Sequence, residues 1–514
     1  MAAGQDMLSY DINQKRYAAR LEACPCGTVR QLLFDDFLLC GGARYDQFHR
    51  NVRFSLGRLR KHGEAICEGE KPWEESSAWV CVIREGGKFR MWYNSAHAGH
   101  RGLVVSYAES DDGVHFERSR LGQIEWRGSR DNNIVYTGGH MGVSPELGNV
   151  FIDANAEEGE SYKLIHSDWD GTFIFDLLER KGVYSSRAGS LRGAYSADGL
   201  HWTRYVEDFL PYYPDSQNVA TWDPSLRRYV IYHRRGSDYG GLQLPHLHVK
   251  PVGRGRSVGR IESEDFRNWS DSELALAPDL HDTLNTDIYN SAYSRHPDNP
   301  NAHYMFPSFY RHYEGCFEVQ VCVSRDNRTW QRPVRDTFIA LGKRGEFDCF
   351  IISVAPGFVS ISDQEWALYY RSGNGPHRPN EHILKDMTEE EKASIASRVS
   401  RVVIRRDRVI GIEAGREPVH FSTRTLSFEG DRLCVNVEPT GANPEVKVQL
   451  LDATGATSLE GYTFEKCHPL RTDQVDGPVM WEGRDRIGPE VPRTGVRLHF
   501  WLRDMRLYAF QFGW

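Results

Sequence analysis

The chain has 514 residues, a formal net charge of -8 and an aromatic content of 12%. This composition excludes a disordered chain and a polybasic nucleic-acid-binding protein. The ten cysteines are scattered without a matching second pair for Cys24 and Cys26, which predicts buried or free thiols and argues against a disulfide framework or a zinc knuckle.

The first segment, residues 1–31, is predicted to be an N-terminal extension with a helix near Tyr10–Leu21. It carries no apolar leader region, and no stretch of about 18 apolar residues follows it. We therefore expect a cytoplasmic protein that does not interact with membranes.

A Ser-x-Asp-x-x-x-aromatic pattern recurs at intervals of 61 to 86 residues. Its copies are Ser110/Asp112/Phe116, Ser196/Asp198/Trp202, Ser263/Asp265/Trp269 and Ser324/Asp326/Trp330. Repeats of this length that carry several strands are typical of propeller blades. We expect the Asp to cap the turn, the small Gly113 or Gly199 after it to permit positive φ, and the aromatic ring to pack beneath. These Asp residues are interpreted as structural.

Five aromatic strands follow turns along the same region. They are Phe89–Tyr93, Tyr162–His166, Tyr229–Arg234, Tyr304–Tyr310 and Trp366–Arg371. Five blades would occupy residues 32–416, within the usual range of four to eight blades. The predicted fold is therefore all-β, with a five-bladed β-propeller.

The remaining residues, 417–514, alternate between apolar and polar side chains, which predicts a C-terminal β-sandwich. The expected strands are Thr425–Phe428, Leu433–Val437, Val446–Leu451, Val479–Trp481, Val496–Trp501 and Leu507–Phe512. A second helix is predicted just before this domain, over Thr388–Val399, because Thr388 can cap an acidic first turn. For the sandwich a scaffold role is favoured over sugar binding.

An acidic residue lies shortly before the strand that opens each predicted blade. The set is Glu74 with Glu75, Glu146, Asp215, Asp287 and Asp348, at intervals of 61 to 72 residues. Glu146, Asp215 and Asp287 are each followed three residues later by Asn. Acids also begin strands as ordinary turn residues, but the shared phase and the Asn partner favour a ring of carboxylates at the propeller axis. Like charges there would repel, so at least one carboxylate should hold a proton.

Glu146, Asp215 and Asp287 are the predicted catalytic residues. Glu146, which has the longer side chain, is expected to be the general acid, and Asp215 or Asp287 the base or nucleophile. Glu74 and Asp348 would bind hydroxyls or tune protonation. The amides of Asn218 and Asn290 are predicted to bind substrate as well.

This pattern resembles the clan of invertases, levanases, arabinanases and β-xylosidases, whose relatives include mannoside phosphorylases. The segments Leu33-Phe34-Asp35-Asp36-Phe37-Leu38 and Lys71-Pro72-Trp73-Glu74 also resemble a largely uncharacterised set of bacterial invertase-like proteins. The invertase signature Asn-Asp-Pro-Asn and the motifs Arg-Asp-Pro and Glu-Cys are absent. The resemblance therefore implies cleavage of a glycosidic bond by carboxylates, without fructosidase specificity.

Basic residues at the ends of the aromatic strands are candidates for substrate binding, because guanidinium and imidazole groups can hold sugar oxygens or phosphate. Arg235, Arg311 and His377 are predicted to do so, whereas a scaffold role is favoured for His233 and His312. The segment Ser237–Arg256 is a candidate lid. Its His246 and His248 form a weak metal-ligand pair, so neither a metal nor a cofactor is predicted.

The function expected from these features is a glycoside hydrolase that acts on a carbohydrate. A glycoside phosphorylase is an alternative, since arginines are abundant at the expected site. A non-catalytic, carbohydrate-binding propeller is a third possibility. We expect no nucleic-acid partner, and a homo-oligomer is left open.

Overall fold

The structure, a computed structural model, describes residues 22–39, 49–67, 69, 71, 73–74, 76–96, 103–138, 144–173, 187–215, 217–235, 255–377 and 381–514. Within these ranges the chain forms β-strands almost throughout, and its two helices, Glu381–Lys385 and Glu389–Ala393, are short. The all-β prediction is therefore confirmed. The predicted helix near Tyr10–Leu21 and the pair His246 and His248 lie outside the described residues.

The helix Glu389–Ala393 begins as predicted, with Thr388 accepting a hydrogen bond from the backbone N–H of Glu391 in a capping box. Its predicted end at Val399 is wrong. Ser397–Arg405 is a strand, and Val399 is fully buried and bridges to Cys67. The β-branched residues that follow favour a pleated sheet over a helix.

The chain forms two compact units, one of which comprises Leu59–Ile404 and the other Arg405–Trp514 with the residues up to Arg58. The larger unit contains three four-stranded antiparallel sheets in chain order. Sheet 1 has strands Ser76–Glu85, Lys88–Ala96, Leu103–Ser110 and Ile134–Tyr136; sheet 2 has Ser144–Ile152, Tyr162–Phe173, Arg187–Ser196 and Thr203–Arg204; sheet 3 has Val219–Asp223, Arg228–Arg235, Ser257–Ser263 and Glu273–Leu276.

Sheet 4 is split into two three-stranded parts. One part has Thr286–Ile288, Ser308–Arg311 and Cys316–Val319; the other has Tyr293–Arg295, His303–Met305 and Cys322–Ser324. The single strand predicted over Tyr304–Tyr310 is therefore two strands that belong to different parts. Pro307 lies between them and has no backbone N–H to donate to a ladder.

Sheet 5 is built from Ile351–Val354, Glu365–Gly373, Ser397–Arg405 and Leu59–Lys61, with Val359–Ser360 paired to its second strand. Its outermost strand thus comes from the N-terminal side of sheet 1. Lys61 pairs with Val402, and Leu59 pairs with Ile404. A segment that precedes the other sheets along the chain therefore completes the last one.

Each sheet of the larger unit contacts the next through hydrogen bonds. These bonds are Cys81 Sγ to Val150 O at 3.1 Å, Ala220 N to Asn149 Oδ1 at 2.8 Å, Ile288 N to Arg256 O at 3.2 Å, Ser308 Oγ to Ile352 O at 3.2 Å and Arg84 Nη1 to Ser360 O at 3.0 Å. The last of them joins sheet 5 to sheet 1. Apolar side chains fill the spaces between neighbouring sheets.

The repeated Asp turns have the structural role predicted for them. In all four turns the Ser hydroxyl donates to Asp Oδ1 at 2.9 Å. The same oxygen accepts backbone N–H groups further along each turn, as it does from Leu200 and His201 in the second copy. The residue after the Asp has positive φ each time, but only the first two copies use glycine there, because Phe266 and Asn327 occupy the position in the others.

The smaller unit contains two sheets of six strands each and one two-stranded sheet. The first sheet has Cys24–Gly27, Leu426–Phe428, Thr494–Arg503, Val419–Ser422, His49–Arg50 and Glu445–Leu451; the second has Gln474–Pro478, Arg432–Pro439, Met505–Gly513, Ile410–Ala414, Phe54–Leu56 and Gln31–Leu32; the two-stranded sheet has Cys467–His468 and Met480–Trp481. Their apolar side chains share one core cluster. This unit therefore needs strands from both ends of the described chain.

Candidate functional site

Asp215 lies in the turn before the first strand of sheet 3, with a left-handed backbone conformation at φ 55°. Its carbonyl accepts hydrogen bonds from Asn218 Nδ2 at 3.0 Å and Ser167 Oγ at 3.2 Å, which hold this turn in place. The carboxylate is paired with Arg234 and lies 3.9 Å from Arg256 Nη2. Its side chain remains 18% exposed, so a charged carboxylate here can still meet a ligand.

Asp287 lies within the first strand of sheet 4, and its side chain is almost completely buried. Its Oδ2 is 2.7 Å from His312 Nε2, and its Oδ1 accepts the backbone N–H of Arg256 at 3.1 Å. Burial alone would raise the pKa of Asp287, but the hydrogen bond with His312 and the charge of Arg256 lower it below its usual value. The group is therefore an ionised, rigidly held carboxylate at neutral pH.

Arg256 connects these two carboxylates. Its guanidinium lies within 4.0 Å of Asp287 Oδ2 through Nε and within 3.9 Å of Asp215 Oδ2 through Nη2. It also lies over the ring of Tyr289, 4.3 Å from the centroid. Burial lowers the pKa of Arg256, but Tyr289 and the carboxylates outweigh that effect and raise it overall. Arg256 therefore stays charged at the centre of the group.

Tyr289 brings Glu146 into the same group. Burial raises the pKa of Tyr289, and the negative charges of Asp215 and Glu146 raise it further. Both carboxylates therefore act on the same phenol. The ring of Tyr289 is also 6.3 Å from that of Trp79, whose indole Nε1 donates to Glu146 Oε1 at 2.7 Å.

Glu146 lies within the first strand of sheet 2, opposite Ser167. The phenol of Tyr213 donates to its second oxygen, so both carboxyl oxygens accept a hydrogen bond. Arg371 lies over the ring of Trp79, 5.5 Å from the centroid. Glu146 and Asp287 were expected just before their strands, but the structure places both inside them.

The predicted ring members Glu74 and Asp348 have structural partners of their own. Glu74 is buried, accepts from Tyr93 and forms an ion pair with Arg118 at 3.0 Å. Asp348 is buried and lies 2.5 Å from Lys61 Nζ on the outermost strand of sheet 5. The contacts described for these two acids are thus distinct from the group formed by the other three, and their roles toward substrate stay predictions.

The predicted amides are engaged with the backbone. Asn218 donates to Asp215 O and accepts from the backbone N–H of Arg234 at 2.9 Å. Asn290 accepts from the backbone N–H of Ser308 at 3.0 Å, and its Nδ2 makes no hydrogen bond within the part of the chain that the structure describes. Both residues are buried. Their amides brace the strands around the carboxylates, and direct contact with substrate stays a prediction.

The three predicted basic residues differ in position. His377 packs its ring against Tyr289, with centroids 4.9 Å apart, and so borders the group. Arg311 pairs with Glu318 at 2.8 Å. Arg235 donates to Ser272 O at 3.4 Å. Of the three, His377 is placed beside the group by direct ring contact.

Sequence reasoning missed four residues of the group, namely Trp79, Tyr213, Arg256 and Tyr289, whereas Arg234, His312 and Arg371 belong to the basic residues at the ends of the aromatic strands. The scaffold roles favoured for His233 and His312 stay predictions. The ring of His312 lies 2.7 Å from Asp287 Oδ2, and the ring of His233 is buried and bonded to Ser272 Oγ at 3.0 Å. Position beside a predicted acid was the available signal for Tyr289, two residues after Asp287.

Among the described residues, no cluster of three or more His, Cys, Asp or Glu is placed to hold a metal ion. None of the helices in the described ranges is long and apolar enough to cross a membrane.

No family model matches the chain. It is 29% identical over 157 residues to an uncharacterized protein of Mycobacterium tuberculosis, a match that covers 26% of this chain and 50% of that protein. The chain thus spans about half the length of the curated relative that it matches.

Several solved structures are similar to the chain at low identity. A glycoside hydrolase shares 13% identity with a TM-score of 0.41, covering 70% of this chain and 93% of its own. An exo-inulinase from Aspergillus awamori shares 11% with a TM-score of 0.41, covering 88% and 98%. The catalytic domain of an α-L-arabinofuranosidase from Coprinopsis cinerea shares 10% with a TM-score of 0.42, covering 68% and 97%.

Proposed function

We propose that the protein is a glycoside hydrolase whose catalytic unit, Leu59–Ile404, is a five-bladed β-propeller. Support for the architecture comes from the five sheets, each of which contacts the next, with sheet 5 contacting sheet 1. The two six-stranded sheets of the other unit would form the expected β-sandwich, which takes in strands before Arg58 as well as those after Arg405.

The observation that carries the functional proposal is the shared environment of Glu146, Asp215 and Asp287. Glu146 and Asp287 lie within the first strands of sheets 2 and 4, and Asp215 lies in the turn before the first strand of sheet 3. Arg256 connects Asp215 with Asp287, and Glu146 is bonded to Trp79, whose ring lies 6.3 Å from that of Tyr289 beneath Arg256. Glycosidic cleavage needs one carboxyl group to protonate the leaving oxygen and another to activate water or attack the sugar.

The different surroundings of the three carboxyl groups suggest a role for each. Asp215 is partly exposed and paired with two arginines, which keep it ionised, so we assign it as base or nucleophile. Glu146 is partly exposed and accepts from neutral donors, Trp79 and Tyr213, so we assign it as general acid. Asp287 is buried against His312 and would position Arg256 and stabilise positive charge that develops on the sugar.

Hydrolysis of a panel of aryl glycosides, covering neutral and acidic sugars in both anomeric forms, tests this proposal. We expect at least one glycoside to release its phenol without added phosphate. Turnover that requires phosphate would indicate a phosphorylase. Sugar binding without any turnover would indicate a non-catalytic propeller, and either result would overturn the hydrolase proposal.

A further inference from the structure

Three arginines surround the candidate active site. Arg256 lies over the ring of Tyr289, and Arg234 is paired with Asp215 beside it. Arg234 and Arg256 are both within ion-pair distance of Asp215 Oδ2, so the two guanidinium groups lie close to each other. Burial lowers the pKa of Arg371, and Tyr289 and Glu146 oppose that shift. Arg371 also lies over the ring of Trp79, which bonds Glu146, so the three guanidinium groups border the same group of carboxylates.

The guanidinium of Arg256 is incompletely satisfied. Arg256 is only 2% exposed, yet its Nε and Nη1 atoms make no hydrogen bond with any described residue. Nε lies 4.0 Å from Asp287 Oδ2, which is an ion pair without a hydrogen bond. A buried donor left without a partner destabilises the protein, and more so when it is charged. The unused N–H groups therefore point to an acceptor supplied by a ligand.

The charge of the group favours an anionic ligand. Arg234, Arg256 and Arg371 are opposed by the three carboxyl groups of Glu146, Asp215 and Asp287. When Glu146 holds the proton that a general acid must donate and the imidazole of His312 is neutral, the group carries one positive charge in excess. A carboxylate supplies one negative charge, whereas a phosphate group carries about -1.5 to -2 at pH 7. A carboxylate is therefore the better match.

We propose that Arg256, with Arg234 and Arg371 beside it, binds a carboxylate carried by the substrate, so that the enzyme acts on an acidic sugar of the uronate class. A guanidinium presents two parallel N–H groups that match a carboxylate. The edge of Arg256 that carries Nη1 and Nη2 presents such a pair beside Asp215, and its Nη1 makes no hydrogen bond with any described residue. This inference rests on the proposed glycosidase function, because it names the substrate of the same site.

Calorimetric titration of the intact protein with D-glucuronate and D-galacturonate, and with D-glucose and D-galactose as neutral counterparts, tests the inference. We expect at least one acid to bind about tenfold or more tightly than its neutral counterpart, a preference that added salt weakens. Arg256→Gln and Arg371→Gln should each remove most of this preference, and Arg256→Lys should keep part of it. Arg371 is partly exposed, so its variant is informative even if Arg256→Gln fails to fold.

Arg228→Gln is the matched control, because Arg228 begins the strand that ends at Arg235 and pairs with Glu264 at 2.6 Å. It should leave the preference unchanged. Equal binding of acidic and neutral sugars by the natural protein would overturn the inference, as would a preference that survives both glutamine variants. Inorganic phosphate is titrated separately. Phosphate binding that is lost in Arg256→Gln, together with no binding of either uronate, would overturn the inference.

Failure of this inference and failure of the proposed function give different results. Hydrolysis of neutral glycosides without binding of uronates would support the proposed glycosidase function and overturn the inference of an acidic substrate. Binding of uronates that depends on Arg256, without cleavage of any aryl glycoside, would support the anion site and overturn the hydrolase.

Discussion

The indole Nε1 of Trp79 donates a hydrogen bond of 2.7 Å to Oε1 of Glu146. Trp79 belongs to sheet 1 and Glu146 to sheet 2, so the bond fixes the carboxyl group from the neighbouring sheet. The phenol of Tyr213 holds the other oxygen. A carboxyl group held in this way is oriented before substrate binds, which is what directed proton transfer requires.

Glu146→Gln should lower kcat/KM by about a hundredfold or more on aryl glycosides with poorly acidic phenols, because the leaving oxygen then receives no proton. On a dinitrophenyl glycoside of the same sugar the loss should be much smaller, since this leaving group departs without protonation. Steady-state kinetics on the two substrates measures the difference. Equal losses on both would contradict the assignment of Glu146 as general acid.

Asp215→Asn should lower kcat by at least about a hundredfold on every aryl glycoside, whatever the leaving group, because the base or nucleophile has lost its charge. Asp111→Asn is the control, since Asp111 has a side chain that is 90% exposed. Rates are compared after circular dichroism has shown that both variants are folded. If kcat of the Asp215→Asn variant is within a fewfold of that of the natural enzyme, Asp215 is neither the base nor the nucleophile.

The repeated turns could be predicted because every contact that defines them is local. Ser196, Asp198 and the backbone N–H of His201 lie within six residues of one another and bond as the motif implies. The period of the acids along the chain likewise predicted that Glu146, Asp215 and Asp287 occupy similar positions in successive sheets. It did not predict that Glu146 and Asp287 lie inside their strands, and the catalytic roles of the three stay predictions.

The direction and the partners of side chains could not be predicted in the same way. Asp348 has the expected phase, but its carboxylate meets Lys61, which lies 287 residues earlier in the chain. Arg256 joins Asp215 and Asp287, which are 41 and 31 residues away from it. Pairings of this kind depend on how sheets pack, and local sequence carries no signal for them.

His233 should make stability depend on pH below neutrality. Burial lowers its pKa to about 4, against about 6.5 in an unfolded chain. Between these values the unfolded state binds a proton that the folded state does not, so stability falls as the pH falls from 6.5 toward 4. His233→Gln should reduce this loss in the free energy of unfolding by about 3 kcal/mol.

Urea unfolding at several pH values between 7 and 4 measures the effect of His233. His201→Gln is the control, because the His201 side chain is 72% exposed. A natural protein and a His233→Gln variant with the same pH dependence would show that His233 titrates normally.

Gly199→Ala should destabilise the protein. Gly199 has φ 77°, and a Cβ there would lie 2.9 Å from Trp92 Cζ2. The left-handed conformation and the clash together should cost roughly 2–4 kcal/mol. Gly63→Ala, where a Cβ would meet nothing within 4 Å, should change stability by less than about 0.5 kcal/mol. Thermal melting compares the two, and equal midpoints would contradict the predicted strain.

The strand Leu59–Lys61 is made early during translation but pairs with Ser397–Arg405, and Phe54–Leu56 likewise pairs with Ile410–Ala414. A ribosome that adds about 5–20 residues per second needs on the order of 20–70 s to pass from the first partner to the second. During that interval these strand edges have no sheet to join, while sheets 1, 2 and 3 can already form. The nascent chain must therefore keep its beginning unpaired until its later strands emerge.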